Sequence, residues 1–549
     1  MRRTILRPAV FACFVLLAAS AQAQFNYVTN SGTITITGYT GSGGNVTIPS
    51  TTNGLAVTGI GTNAFYECWL LTSVTIPDGV TSIGAFAFAY CGLTNVTIPN
   101  SVTNIGDDAF SVCGMTSVTI PDSVTTLGDS VFLDCCTLTS ATIGNGVAGI
   151  GYEAFFLCSN LRSMTIGNSV GSIGSNAFSG CSLTHVTIPN SVTNIETAAF
   201  QNCSGLTNLT IGSGVANIGN NAFYGCCNLR SVTIPDRVTN IESEAFYQCT
   251  NLAAVTLGSN VVSIGDYAFY GCVQLKSAAI PDSATSIEEA AFDGCTNLAA
   301  VTLGSGLTSL GVWAFSGGIM TSVTIPDSLT NIGSKAFWYC PLLSSITVGA
   351  QNPAYASVGG VLFNRSMTTL VQYPPGNRAG AYALPNSVTS IGSLAFYGCA
   401  SLTNVTLGSG VTNIGDMAFF ECTNLTQAFF QGNATSAESD LFYGAPGTVY
   451  YLPGTTGWTN TFGGLPTAPW YQRNPQVLGN GCGLGVQSNR FNFIVSWATN
   501  ASVVVQACTN LARPVWTPVA TNTLAGGTTA FSDPQWTNYP SRFYRVRSQ

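Results

Sequence analysis

The stretch from Leu93 to Cys113, LTNVTIPNSVTNIGDDAFSVC, is the unit that repeats along this chain. Aligning Phe110 with its equivalents gives a ladder of phenylalanines spaced 22 or 23 residues apart, with a single interval of 59: Phe65, Phe88, Phe110, Phe132, Phe155, Phe178, Phe200, Phe223, Phe246, Phe269, Phe292, Phe315, Phe337, Phe396, Phe419 and Phe442. A period of this length is typical of a solenoid, whose single coils cannot bury their own apolar face. We therefore expect function to reside on an extended surface.

The first half of the unit predicts a short β-strand. Val96 and Ile98 would face the core while Asn95 and Thr97 face solvent, because side chains alternate along a strand. Pro99 has no backbone N–H to donate and would end the strand. Each coil thus presents one buried and one displayed side.

The second half of the unit predicts a shorter strand and a corner. Val102 and Ile105 would point inward, and Gly106 permits a sharp change of direction. Asp107–Ala109 suggest a helical turn that inserts Phe110 into the core. The expected fold class is therefore mainly β: a solenoid with a strand, a shorter strand and a helical turn in each coil.

Units of this form, Leu-x-x-Val-x-Ile-Pro-x-Ser-Val-Thr-x-Ile-Gly-x-x-Ala-Phe-x-x-Cys, resemble the leucine-rich repeats of BspA-like surface proteins. The likeness covers roughly residues 55–445. The segment Asn352–Pro385 resembles the longer variant repeat of that family, and we place this variant repeat at about residues 346–385. It accounts for the interval of 59 residues in the ladder. The resemblance implies a curved parallel-β solenoid with the first strands on its concave side, and a role in adhesion or protein–protein interaction.

The N-terminus predicts export. Within Met1–Ala23, three arginines precede an apolar run and a final Ala-Gln-Ala, the order of a secretory signal that would be cleaved before Gln24. Arg2-Arg3 leaves twin-arginine export open as an alternative. No later apolar run reaches the roughly 20 residues that a membrane span needs. We expect a mature chain that is secreted or on the cell surface, without a membrane span.

Charge narrows the range of partners. Only 7% of residues are charged, and removing the signal leaves 13 basic and 23 acidic residues, a net charge of about −10. An acidic chain is poorly suited to nucleic acid or anionic membrane. The expected partner is an extracellular protein or a polysaccharide.

The cysteines follow the repeat. Of 19 cysteines, 14 lie three residues after a ladder phenylalanine, where Gly318 and Ala445 stand in other coils. Cysteine is a small, readily buried residue, so we expect a column of buried thiols, with disulfides between neighbouring coils disfavoured by parallel side-chain directions. Cys482 and Cys508 lie outside the column and are the candidate disulfide.

Three further segments frame the repeats. Residues 24–54 are expected to form an N-terminal cap and first coil, and residues 446–474 a C-terminal cap and linker in which Trp458 and Phe462 cover the last coil. Residues 475–549 predict a small antiparallel β-sandwich, because short alternating runs such as RFNFIVSW are separated by turn residues.

The displayed side of the first strands is the candidate ligand-binding surface. Threonine recurs there in register, beside a row of serine and asparagine that includes His185: Thr75, Thr97, Thr119, Thr142, Thr165, Thr187, Thr210, Thr233, Thr256, Thr302, Thr324 and Thr347. Threonine is a good strand former, so the row has a purely structural interpretation. A hydroxyl array that binds polysaccharide, or ice, through many weak contacts is the alternative.

No catalytic constellation is found in the sequence. The chain has one histidine, His185, and no Gly-x-Ser-x-Gly motif. Asx residues that follow the strand-ending proline, such as Asp122 and Asp236, are interpreted as turn formers rather than calcium ligands. We expect no enzyme activity, no cofactor and no metal.

We therefore predict an exported, non-catalytic recognition or adhesion scaffold that binds protein or glycan through the repeat surface. The alternative is a polysaccharide-binding accessory protein that acts through the threonine array or the C-terminal β module. The concave face lacks the large aromatic and Arg anchors of protein hot spots. Aromatic residues cluster instead near the variant repeat and C-terminal end, where a protein ligand is expected to dock: Tyr373, Phe429, Phe430, Tyr450 and Tyr451.

Overall fold

The structure is a computed structural model that describes residues 24–470, 475–478, 484–497 and 501–548. The predicted signal peptide at 1–23 and Cys482, one half of the candidate disulfide, lie outside the described residues. The chain divides into two compact units, Met1–Gly318 and Ile319–Gln549.

Parallel first strands run through the first unit, as the alternation predicts. Thr119 pairs with Thr142, and Thr142 with Thr165, without a shift in register. In most of these strands the residue on the other side enters the core, as Val74, Val96 and Val118 do. The strands are Gly44–Thr47, Leu71–Thr75, Asn95–Thr97, Ser117–Ile120, Ser140–Ile143, Ser163–Thr165, His185–Ile188, Asn208–Ile211, Ser231–Thr233, Ala254–Thr256, Ser277–Ala279 and Ala300–Thr302.

A second set of parallel strands, mostly two residues long, forms another side of each coil. These strands are Leu55–Ile60, Ser82–Ile83, Asn104–Ile105, Thr126–Leu127, Gly149–Ile150, Ser172–Ile173, Asn194–Ile195, Asn217–Ile218, Asn240–Ile241, Ser263–Ile264, Ser286–Ile287 and Ser309–Leu310. A cap of Phe25–Asn30, Thr33–Tyr39 and Thr51–Thr52 precedes them. Tyr39 of this cap stacks on Phe65 with ring centroids 5.2 Å apart, which covers the end of the ladder.

The phenylalanine ladder is the centre of the core. From Phe65 to Phe315, successive rings lie 4.8–5.7 Å apart with interplanar angles of 2–19°. Phe65 and its counterparts up to Phe292 are fully buried. The predicted solenoid of coils stacked in register is therefore confirmed.

The corner before each phenylalanine is not a helical turn, so that part of the prediction is wrong. Asp108 and Val112, two residues before and after Phe110, both have left-handed backbones with φ of +52° and +55°. The Phe110 N–H donates to the carbonyl of Val131 in the next coil (2.9 Å), while the Ala109 N–H turns back to Gly106 (3.3 Å). Because alternate amides bond the neighbouring coil, they are not available for a helix.

Coils of 22 and 23 residues differ in one loop. In the shorter type a single residue separates the buried Cys113 from the buried Met115, whereas two residues separate Cys158 from Leu161. The additional Asn160 donates from Nδ2 to the carbonyl of Cys136 in the preceding coil (2.6 Å). The buried positions on both sides of the loop are thus the same in the two coil types.

The ladder cysteines donate hydrogen bonds between coils. Sγ of Cys113 lies 3.2 Å from the carbonyl oxygen of Phe88, the ladder residue of the preceding coil. The same contact is made by Cys91, Cys135, Cys158, Cys181, Cys203, Cys226, Cys249, Cys272, Cys295 and Cys422. Burial raises the pKa of the Cys91 thiol to about 12. These side chains are therefore neutral donors, a role that their spacing alone does not reveal.

The second unit continues the coils with a variant stretch. Its first strands are Ser322–Ile325, Ser345–Val348, Ala381–Ala383, Asn404–Leu407, Gln427–Phe430, Thr448–Tyr451 and Leu465–Pro469. The second strands are Asn331–Ile332, Thr369–Gln372, Ser390–Ile391 and Asn413–Ile414, and Tyr355–Val358 with Val361–Asn364 forms an antiparallel hairpin that pairs with Thr369–Gln372.

Tyr373 occupies the ladder position within the interval of 59. Its ring is fully buried and stacks on Phe396 with centroids 5.0 Å apart. The Tyr373 N–H donates to the carbonyl of Ala395 (2.7 Å), the bond that ladder phenylalanines make. The variant stretch therefore keeps the aromatic stack with a different residue.

The C-terminal part of this unit consists of a cap and a β module. Thr461–Phe462 pairs with Leu465–Pro469, and both Trp458 and Phe462 pack on Phe430, at 5.1 and 5.2 Å between centroids. The module has one sheet of Gln476–Val477, Gly485–Gln487, Arg490–Ser496 and Thr528–Asp533, and another of Ser502–Cys508, Thr517–Thr523 and Phe543–Ser548, with a short 3-10 helix at Trp536–Asn538. Ser496 donates to the carbonyl of Pro453 (2.5 Å), so the module contacts the cap directly.

Candidate functional site

The predicted threonine row is fully displayed. Every residue of this row, from Thr75 to Thr302 in the first unit and Thr324 and Thr347 in the second, is exposed. We call these 12 residues the threonine face. Ala279 replaces threonine in one coil and interrupts the row, pairing with Thr302.

Hydroxyls of the threonine face differ from other threonine hydroxyls of the same coils. Thr103 and Thr125 donate to the backbone carbonyl of the equivalent residue in the preceding coil, each at 3.2 Å. Thr94 and Thr139 also bond a carbonyl of the preceding coil. In the first unit, within the residues that the structure describes, no threonine-face hydroxyl bonds a protein atom, so all of them are available to a ligand.

Four coils of the first unit combine their threonines into a groove of about 740 Å³. Thr97, Thr119, Thr142 and Thr165 line one side, with Asn95 and Ser117 beside them. The other side consists of the residues that follow the first strands, Asn100, Asp122, Asn145 and Asn168. The polar part of the lining is thus made of hydroxyl and amide groups, with Asp122 as its one charged side chain, and the strand residues between them, such as Ile120 and Ile143, add apolar surface.

Glycine forms part of the groove. Where Pro99 and Pro121 end the first two strands, Gly144 and Gly167 end the next two. A Cβ at Gly144 would lie 2.5 Å from the carbonyl carbon of Pro121, and one at Gly167 would overlap the carbonyl of Gly144. The coils therefore approach one another here at a distance that only glycine permits.

Asx residues that line the groove also bond the next coil. The Asn145 N–H donates to Oδ1 of Asp122 (2.6 Å), and the Asn168 N–H donates to Oδ1 of Asn145 (2.9 Å). Asp236 likewise accepts from the N–H and Oγ of Ser259, which lowers the pKa of its carboxyl. These residues were predicted to stabilise their own turns, whereas here their side chains hold neighbouring coils together.

His185 lies on the displayed side, as predicted, in register with Ser163 and Asn208. Its Nδ1 is 3.0 Å from Oγ1 of Thr184. Its contacts in the described chain include no carboxylate, and His185 does not line the groove. Among the described residues, no group of three or more His, Cys, Asp or Glu side chains is placed to hold a metal ion.

The predicted aromatic cluster is only partly displayed. Tyr373 and Phe430 are buried in the core, so the expectation that they meet a ligand is wrong. Phe429 and Tyr450 occupy the positions that threonine holds in earlier coils, because Thr406 pairs with Phe429 and Phe429 with Tyr450. Their rings stack at 5.3 Å, and Trp470 packs on Phe429 at 4.6 Å.

Of the two candidate disulfide residues, Cys508 is buried at the end of Ser502–Cys508. Its proposed partner Cys482 lies outside the described residues, so the pairing stays a prediction.

Comparison with known families identifies the repeat. The model of the BspA type leucine rich repeat region matches in 6 copies, at residues 58–184, 125–253, 171–284, 216–344, 262–375 and 380–454. These matches cover well over half of the chain. The chain belongs to the BspA-type leucine-rich repeat family. Proteins of this family are typically secreted or on the cell surface, and their repeats mediate protein interactions.

Similar solved structures include leucine-rich repeat proteins. A leucine-rich repeat protein from Bacteroides ovatus is 25% identical over 60% of this chain and 93% of its own length, with a TM-score of 0.43. A leucine rich cell surface protein from Faecalibacterium prausnitzii is 22% identical over 82% and 94%, with a TM-score of 0.27. The pneumococcal vaccine antigen PcpA is 14% identical over 78% and 80%, with a TM-score of 0.30.

No curated protein matches the chain. None of the helices in the described ranges has the length and apolar character that a bilayer span requires.

Proposed function

We propose that this BspA-type chain is an exported, non-catalytic recognition scaffold for adhesion, and that its threonine face binds an extended, uncharged glycan along the groove from Thr97 to Thr165. The observation that carries this proposal is the set of threonine hydroxyls without a protein partner, in coils whose other threonines are engaged by the backbone.

The chemistry of the groove favours a polar polymer. Hydroxyl and amide groups repeat at the strand spacing, roughly 4.8 Å from coil to coil. A polymer with repeating hydroxyls would make the same weak contact several times, and the contacts reinforce one another through high effective concentration. No Trp, Tyr or Arg lines the groove, although these residues dominate the hot spots of protein interfaces.

The first experiment removes four hydroxyls while keeping side-chain shape. The full chain carrying Thr97→Val, Thr119→Val, Thr142→Val and Thr165→Val is tested against a panel of polysaccharides and matrix proteins. The matched control carries Thr210→Val, Thr233→Val, Thr256→Val and Thr302→Val on the same face outside the groove. We expect glycan binding to fall at least about tenfold in the groove variant, because each lost hydrogen bond contributes about 0.5–1.5 kcal/mol, and to change little in the control.

Two results would contradict the proposal. Equal loss in both variants would show that the groove has no special role, and release of shortened sugars from a bound polysaccharide would show catalysis. Loss of binding on Trp516→Ala alone would instead favour the C-terminal module, where the guanidinium of Arg545 lies 4.5 Å from the Trp516 ring centroid.

A further inference from the structure

A pocket of about 260 Å³ opens in the second unit, away from its first strands. It lies at the left-handed corner two residues after the ladder position, where successive coils place Tyr339, Pro375, Gly398 and Glu421 in one column. Tyr339, Gly398 and Glu421 have φ of +52°, +65° and +56°, so the backbone fixes the direction of each.

The pocket exists because of the variant stretch. Pro375 follows Tyr373, the residue that replaces phenylalanine in the ladder, and Gly398 adds no side chain to the column. A Cβ built at Gly398 meets no atom within 4 Å. The space between Tyr339 and Glu421 is therefore left open by these two residues.

Aromatic rings form one wall of the pocket. The Tyr339 side chain is 60% exposed, and its ring lies 6.4 Å from that of Tyr397. Tyr397 is held in place by Trp338 and Phe420, at 5.2 and 5.7 Å between centroids. The wall is thus a braced, partly open aromatic surface.

Glu421 supplies a single negative charge. Within the described chain no Lys or Arg forms an ion pair with its carboxylate. Glu421 and Tyr397 line the same pocket. Burial raises the pKa of the Tyr397 hydroxyl, and the nearby Glu421 carboxylate raises it further. An aromatic wall, a proline wall and one uncompensated carboxylate are complementary to a flat cation.

We propose that this pocket binds an arginine side chain presented by a protein partner. The guanidinium stacks on the exposed Tyr339 ring and donates to the Glu421 carboxylate, a pairing for which its planar fork is suited. The aliphatic stem packs against Pro375. This site extends the proposed recognition function, but it lies in a different unit from the groove and uses different chemistry.

The test titrates the full chain with the peptide acetyl-Gly-Arg-Gly-amide, followed by NMR, against the same peptide with neutral citrulline. We expect Glu421→Gln to weaken arginine binding about 10-fold or more, and Tyr339→Ala about 2- to 5-fold. The control Glu438→Gln removes the same charge from an equally exposed site of this unit that does not line the pocket and should leave binding within about 2-fold.

Equal binding of the citrulline peptide, or equal weakening by Glu421→Gln and Glu438→Gln, would overturn the assignment. Stronger binding of a lysine peptide would overturn the preference for a planar cation. The four groove substitutions should leave arginine binding unchanged, and Glu421→Gln should leave glycan binding unchanged, so the two proposals fail separately.

Discussion

The regular coils of the first unit and the variant stretch of the second unit share the aromatic core but differ in their polar contacts and in one corner. In the regular coils, several repeated polar positions bond the neighbouring coil: Cys113 bonds a phenylalanine carbonyl, Thr103 a threonine carbonyl, and Asp122 an asparagine N–H. In the variant stretch the aromatic stack continues through Tyr373, while the corner column changes to Pro375.

This difference shows where a repeat protein has freedom to bind. The regular coils leave the threonine hydroxyls on the displayed side of their first strands unengaged in the described first unit, so their ligand site is an extended hydroxyl surface. A variant coil that keeps the core and alters a corner creates a local pocket.

The largest effect is expected from opening the ladder in the regular coils. Phe223 is fully buried and stacks on Phe200 and Phe246, each at 5.3 Å, so Phe223→Ala should lower the free energy of unfolding by about 3–5 kcal/mol. Chemical denaturation, with hydrogen exchange to locate the loosened coils, measures the loss. The control is Tyr224→Ala, since this half-buried ring stacks outside the core. Comparable losses in both variants would contradict a core built on the ladder.

The next effect concerns the thiols. Burial raises the pKa of Cys226 well above its ordinary value. The stability from keeping this thiol neutral is complete below the pKa of the unfolded chain, about 8.5, and is lost as pH rises above it. Cys226→Ala should therefore reduce the alkaline slope of the free energy of unfolding by up to about 1.4 kcal/mol per pH unit. Identical slopes above pH 9 in the variant and the parent chain would refute neutral, buried thiols.

A smaller effect of opposite sign is expected in the variant stretch. The buried Tyr373 hydroxyl has no hydrogen-bond partner among the described residues. Tyr373→Phe should keep the stack with Phe396 and raise the free energy of unfolding by about 1 kcal/mol, because an unsatisfied buried hydroxyl is costly. Denaturation midpoints of the two chains measure the change. A lower midpoint would show that the hydroxyl has a partner that stabilises the unit.

The smallest effect compares two Asx residues. Asp236 accepts two bonds from Ser259, which hold its carboxyl pKa below the ordinary value. Its contribution is present above the unfolded pKa near 4 and is lost as pH falls through the lowered folded value. Asp236→Ala should lower the denaturation midpoint slightly at pH 7 and less at pH 3. Asn386→Ala is the matched change in the second unit, where the described structure shows no bond to this side chain, and an equal drop there would remove the distinction.

Most of the fold could be predicted from the sequence because the buried positions repeat with fixed spacing. The ladder from Phe65 onward, the in-register threonines and the buried cysteines all follow from one period. The corner could not be predicted in the same way. Asp107–Ala109 are compatible with a helical turn, and only the bond from Phe110 to the next coil selects two left-handed turns instead.

The candidate sites, too, could be predicted only where they follow from the repeat spacing. The threonine face is evident from the alternation of side chains along each strand. The groove also contains Gly144 and Gly167, which occupy the repeat position that proline holds in other coils, so the repeat pattern alone does not single them out. Tyr373 is not preceded by the alanine of the repeat pattern, so the pattern does not mark it as a ladder residue. Its distance of 23 residues from Phe396, one repeat length, could have identified it. The pocket at Glu421 arises from neighbours that are distant in sequence, so periodicity does not reveal it.

The loop between each ladder cysteine and the next buried leucine has a consequence for how such chains change length. This loop can be one residue longer or shorter while the buried residues on either side stay the same, as the loops from Cys113 to Met115 and from Cys158 to Leu161 show. Because each coil is bonded to the coil before it and the coil after it, duplication or deletion of a whole coil by recombination restores equivalent contacts at the junction. Relatives of this protein should therefore vary in copy number more readily than in coil design, and the length of the hydroxyl surface should vary with them.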